Sequence, residues 1–82
     1  MGYKLKFTLH EVAEIFNRSV DTVRFWITYK GFGKYGYKNN RKWYFEYEDL
    51  KRFLEEDAPN WMTKRDIDEA MERLERKHKG GD

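Results

Sequence analysis

The sequence predicts a mostly helical α+β fold made of a helix-turn-helix, a β-hairpin and an extra C-terminal amphipathic helix. Three observations predict it. Two short capped helical stripes, opened by Thr8 and Ser19, are separated only by Asn17-Arg18. A basic and aromatic run over residues 35–45 folds about a pair of asparagines. A narrow apolar stripe follows Pro59, the single proline.

The chain opens with Tyr3-Lys4-Leu5-Lys6-Phe7, which alternates large apolar residues with lysine and predicts a short half-buried strand. At Thr8 the period changes. Thr8-Leu9-His10-Glu11 is a capping box, and Leu9, Val12, Ala13 and Phe16 follow at helical spacing. Asn17 tolerates the left-handed conformation that ends helices. Ser19 then caps a second helix, with Asp21 in the first turn where the helix dipole favours negative charge. Val20, Val23 and Ile27 point to one side with Trp26 beside them. Asp21, Phe25 and Thr28 are left opposite, flanked by Thr22 and Arg24.

Residues 35–45 predict a β-hairpin with Asn39-Asn40 at the centre of a type I′ turn, which needs positive φ twice. Lys38, Arg41 and Lys42 would tip it with positive charge. Trp43 and Phe45 are expected to pack in the core, while Tyr35, Tyr37 and Tyr44 could also offer stacking platforms. Tyr47, Leu50, Phe53 and Leu54 predict a third helix after Glu46, ended by Asp57-Ala58-Pro59-Asn60. Thr63 opens a last helix whose stripe is Ile67, Ala70, Met71 and Leu74, and Gly80-Gly81 ends it. The organisation expected is a winged unit over residues 1–57 and a linker with an amphipathic helix over 58–82. The stripe is expected to be an oligomer contact with a partner helix, with folding back on its own domain as the alternative.

With 82 residues the chain is one small domain, and its 6 Phe, 6 Tyr and 3 Trp suffice for a compact core of large rings. It has no cysteine, so thiolate metal sites, disulfides and a cysteine nucleophile are all excluded. No apolar run is long enough for a membrane span or a signal peptide, which predicts a soluble cytoplasmic protein associated with the nucleoid. The net charge of +2 hides a division: residues 1–45 carry +6 and residues 46–82 carry −4. Such polarity points to an N-terminal face that meets something anionic.

Catalysis has no support in the residues. His10 and His78 are far apart in sequence and read as solvated or structural, no metal-ligand spacing exists, and Gly31-Phe32-Gly33 is not a phosphate loop. No cofactor and no small-molecule effector are expected. Nucleic-acid binding has several independent features behind it. The outer face of the second helix can enter a major groove, where Arg24 can read guanine and Thr22 and Thr28 can bond phosphate or a base edge. Asp21 can accept from a cytosine amino group or orient Arg24. Three uses fit Phe25: contact with thymine methyls, packing under the hairpin, or a protein contact, of which the two packing uses fit better. Ser19 lies at the start of this helix, and Arg18, Lys30 and Lys34 flank the two DNA-facing elements.

These residues resemble a known family. Thr8-Leu9-His10-Glu11-Val12-Ala13, then Ser19-Val20-Asp21-Thr22-Val23-Arg24-Phe25-Trp26, then Arg41-Lys42-Trp43-Tyr44-Phe45, then Glu48-Asp49-Leu50 and Phe53-Leu54 resemble the winged helix-turn-helix of MerR-like regulators and phage excisionases. The resemblance spans about residues 7–56. It implies that the helix over 19–28 enters the major groove, with Thr22, Arg24 and the Phe25 position facing the bases. It implies that the wing over 35–45, with Arg41, meets the backbone or minor groove. The chain departs from excisionases in carrying Phe25 where a basic residue is usual. It departs from full MerR regulators in lacking a long dimerising helix and effector domain after Asn60.

The expectation is therefore a sequence-specific double-stranded DNA-binding protein of prokaryotic or phage type, either an excisionase-like architectural factor or a small transcriptional regulator. It is expected to bind as a homodimer or cooperatively on repeated sites. The winged domain of phage terminase small subunits has a similar build, so an assembly or protein-interaction module is the alternative.

Overall fold

A computed structural model describes residues 2–80. The elements in chain order are strand β1 (Lys6–Thr8), helices α1 (Leu9–Phe16) and α2 (Val20–Tyr29), a 3-10 turn (Phe32–Tyr35), strands β2 (Gly36–Asn39) and β3 (Lys42–Glu46), and helices α3 (Tyr47–Glu56) and α4 (Lys64–His78). The antiparallel sheet has the order β1-β3-β2, so β3 is central and β2–β3 projects as a wing.

Local chemistry sets the helix boundaries. The Thr8 hydroxyl accepts from the Glu11 amide and the Glu11 carboxylate accepts from the Thr8 amide, which completes the capping box. Asn17 ends α1 in the left-handed region at φ 55°. The Ser19 hydroxyl accepts from the Thr22 amide and starts α2, leaving a turn of Asn17, Arg18 and Ser19 between the helices. Thr63 caps α4 in the same way, through the Asp66 amide.

The core is one cluster drawn from every helix, the sheet and the 3-10 turn. Phe7, Val12, Ile15, Val23, Phe45, Leu50 and Leu74 are fully buried in it. Phe32 occupies its centre, with the rings of Phe16, Trp26, Phe45 and Phe53 around it.

Four features differ from the sequence reading. The first strand is shorter than the alternation over residues 3–7 suggests: β1 begins at Lys6, and Tyr3 and Leu5 are exposed. Before it, the Leu5 carbonyl still accepts from the Tyr47 amide just after β3 (2.9 Å), but the Lys4 amide donates to the His78 carbonyl at the end of α4 (2.7 Å) and Tyr3 stacks on the His78 ring. Tyr35 belongs to the 3-10 turn and not to the hairpin; it is buried and its hydroxyl donates to Asp57. The central turn residues are Asn40 and Arg41, not Asn39-Asn40, with φ of 57° and 69°. Gly36 sets this register. It pairs with Phe45, and a Cβ there would stand 2.6 Å from the Phe45 ring and 2.7 Å from the Tyr44 carbonyl oxygen.

The fourth difference concerns the last helix. The stripe offered to a partner helix folds back on its own domain: Ala70 and Leu74 are fully buried in the common core, with Ile67 and Met71 packed against it. The physical reason lies at the end of α1, which has no basic residue in its last turn. Arg73 of α4 supplies the missing donor, reaching the Ile15 carbonyl at 3.1 Å, and Lys77 pairs with Glu14 at 2.7 Å. Lys77 holds the Glu14 carboxyl below its ordinary range through its hydrogen bond and its charge. Gly80, at φ 77°, follows α4, while Gly81 lies outside the described residues.

Tyr47 joins α3 to α4. It is buried, stacks on His78 at 3.6 Å between ring centres, and donates its hydroxyl to Glu75. Burial, followed by the Glu75 hydrogen bond and charge, raises its pKa from an ordinary value of 10.0 to about 12. A raised folded-state pKa means that this contribution is complete below pH 10 and is lost as pH rises toward about 12. Thermal melts across that window should therefore fall more steeply for the wild type than for Tyr47→Phe. Parallel falls would count against the Tyr47–Glu75 contact.

Candidate nucleic-acid interface

The α1–α2 pair and the wing meet beside a cleft of about 360 Å³. It is lined by Thr8, Leu9 and His10 at the start of α1, by Arg24 of α2, and by Arg41, Lys42, Trp43 and Tyr44 of the wing. Arg24, Arg41 and Lys42 are all exposed. Among the described residues, no carboxylate lines the cleft. Three basic side chains from two separate elements thus share one concavity, a geometry that focuses positive potential outward.

Each element positions its cation for a local reason. Val23 and Trp26 anchor α2 in the core, so helical geometry sends Asp21, Arg24, Phe25 and Thr28 (spaced i, i+3, i+4, i+7) to the opposite face. The wing is held against α2 by a close approach at Gly33, where a Cβ would lie 3.3 Å from both Ile27 and the Trp43 ring. Arg41 sits at the second turn position with a left-handed backbone. That conformation costs a non-glycine residue about 1–2 kcal/mol, and glycine is the usual occupant in a type I′ turn.

The residues singled out from sequence are brought together only in part. Ser19 is used as the cap of α2, and Thr22 is bonded to it through its hydroxyl (2.9 Å). Arg18 turns toward α4 and pairs with Asp66 at 3.4 Å. Lys30 lies over the Trp61 ring, which covers Trp26 at 4.9 Å, and Lys34 lies over Tyr35. Lys38 pairs with Trp43 in the ladder and Lys42 with Asn39, so the strand alternation puts Lys38 and Lys42 on opposite faces of the wing. Phe25 is not packed under the hairpin; it is half exposed and its ring meets Tyr29.

His10 is exposed, as expected of a solvated residue, and also lines the cleft, while Trp61, which the sequence did not single out, extends the aromatic surface beside α2. His10 follows the cap Thr8 by two residues and so had to lie near the sheet end, a signal that was present; Trp61 had none beyond its proximity to Pro59. Among the described residues, no group of three or more His, Cys, Asp or Glu side chains assembles as a metal site needs, and no described helix is long and apolar enough to cross a membrane.

The profile of a helix-turn-helix domain family matches residues 7–58, more than half of the chain. The chain belongs to this helix-turn-helix family. The match begins in β1 and runs past the end of α3, so it takes in the helix pair, the wing and the helix that supports them. Neither the curated proteins nor the solved structures contain a match to the chain. As a helix-turn-helix domain of winged α+β build, the protein has DNA as the partner its family implies.

Proposed function

We propose that this helix-turn-helix protein binds double-stranded DNA sequence-specifically, as an excisionase-like architectural factor or a small prokaryotic or phage regulator. The observation that carries the reading is the convergence of Arg24, Arg41 and Lys42 on one cleft between α2 and the wing. In this reading α2 enters the major groove, about 12 Å wide, with Arg24 toward guanine and Asp21 and Thr28 beside it. Arg41 and Lys42 contact the adjoining backbone or minor groove, and Lys38 reaches a phosphate from the other face of the wing. Of the described residues, 2–57 supply the DNA-facing surface and 58–80 buttress it. One module of this size buries only about 600–1,000 Å² of its own surface on DNA, which favours cooperative binding to repeated sites over binding by a single copy.

The test is anisotropy titration on a duplex selected from a random pool by the wild-type chain. Arg24→Ala should cost about 1–3 kcal/mol and blur base preference, whereas Lys42→Ala should weaken all sequences alike and lower the salt slope by about 1. Absence of any duplex binding at low salt would sink the reading and favour the assembly-module alternative, which Phe25 and Tyr29 on the open face of α2 would then serve.

The turn makes a second, more pointed test. Arg41→Gly should raise stability by about 1 kcal/mol, because glycine adopts the left-handed region without penalty. The same variant should bind duplex DNA more weakly. A variant that gained stability with no loss of affinity would show that Arg41 has no part in binding.

A further inference from the structure

Phe25 is 50 % exposed on the face of α2 that also carries Asp21, Arg24 and Thr28. Among the described residues its ring has one aromatic neighbour, Tyr29, one helical turn on, at 4.9 Å between ring centres. Tyr29 is itself 71 % exposed. The core therefore does not account for this ring, and the cationic cleft does not use it. We infer that Phe25 is a specificity-determining residue that packs against the C5-methyl group of thymine, with Tyr29 as its backstop. This inference rests on the proposed groove binding of α2.

Chemistry selects the thymine methyl. A phenyl ring has no donor or acceptor for a phosphate or a base edge, so it gains only by covering apolar surface. In the major groove the thymine methyl is the apolar group that distinguishes one base from the others. The neighbours on this helix face favour DNA over a protein surface as the occupant: Arg24 lies one residue away and faces the cleft shared with Arg41 and Lys42. Any surface that covers Phe25 also approaches those cations, and duplex DNA satisfies both needs at once. Tyr29 restricts the rotamers of the ring before binding, which lowers the ordering cost of the contact. Arg24 and Phe25 then read adjacent features, the guanine edge by hydrogen bonds and the thymine methyl by contact.

The selected duplex is remade with each thymine replaced in turn by uracil, which lacks only the methyl group, and bound to wild type, Phe25→Ala and Phe25→Leu. Loss of one buried methyl is expected to weaken wild-type binding about fourfold at one or two positions. Phe25→Ala should be indifferent to uracil at those positions, and Phe25→Leu should retain part of the discrimination. Because Phe25 lies outside the core, the variants should melt as the wild type does; if Phe25→Ala misfolded, the uracil series on the wild type would still decide. Equal tolerance of uracil everywhere by the wild type, or the same uracil penalty in Phe25→Ala, overturns the inference while leaving the DNA-binding reading intact. Phe25→Ala binding with unchanged affinity also overturns it. Failure to recover any duplex overturns both readings together.

Discussion

Phe32→Ala is expected to destabilise the chain by about 3–5 kcal/mol, enough to leave much of it unfolded. Phe32 is 1 % exposed, and its ring lies within 6.0 Å, centre to centre, of Phe16, Trp26, Tyr35, Phe45 and Phe53. Those five rings come from α1, α2, the 3-10 turn, β3 and α3, so a single side chain ties the helix pair to the wing. Removing it leaves a cavity that these edge-to-face and stacked neighbours cannot close without shifting the elements they belong to. A domain of this size has only a few kcal/mol of net stability to lose. Urea unfolding followed by tryptophan fluorescence would measure the loss, and Phe32→Leu should recover part of it. A loss below about 1 kcal/mol would mean that the aromatic cluster repacks freely. DNA affinity should fall in proportion to the unfolded fraction, because the relation of Arg24 to Arg41 and Lys42 depends on α2 and the wing keeping their common support.

The helices were legible because their signals are local. Thr8 with Glu11, Ser19 before Asp21, and Thr63 before Asp66 each satisfy backbone donors within one turn. The apolar spacing then says which face of each helix is buried. The hairpin phase was not legible, because Asn39, Asn40 and Arg41 give two overlapping choices of turn. Gly36 decides between them by admitting the Phe45 ring, a contact between residues that only the folded sheet brings together. Tyr35 was misplaced for a similar reason: its hydroxyl partner, Asp57, lies at the end of α3.

The candidate site follows the same division. The exposed face of α2 could be drawn from helical spacing alone, so Asp21, Arg24, Phe25 and Thr28 were found together. The meeting of Arg24 with Arg41 and Lys42 depends on how the wing leans on Ile27 and Gly33, which no local pattern encodes. Positive charge in the first half was correctly noticed but not sorted. Arg18 serves the contact with α4, and Lys30 and Lys34 lie over Trp61 and Tyr35. Each of these cations has a structural neighbour, whereas those of the cleft face outward from two elements.

Leu74→Ala should cost about 2–5 kcal/mol, and the midpoint of unfolding should not depend on protein concentration. Both halves of that expectation follow from where α4 lies. Leu74 is fully buried and Ala70 1 % exposed, in the same cluster as Val12, Ile15 and Leu50 of the winged unit. An α4 that served chiefly as an oligomer contact would lose association on mutation, and its melting temperature would rise with concentration by mass action. An α4 folded on its own chain loses core packing, a unimolecular effect. Polar contacts independent of Leu74 also hold the helix in place: Arg73 on the Ile15 carbonyl, Lys77 on Glu14, and Tyr47 on Glu75. The mutant should therefore loosen α4 against α1 and α3 without releasing it outright. Because Leu9 and His10 of α1 line the cleft, that loosening should also weaken DNA binding although Leu74 lies outside the cleft. Concentration-dependent melting of the wild type would instead place the stripe between two copies and reverse the assignment of α4.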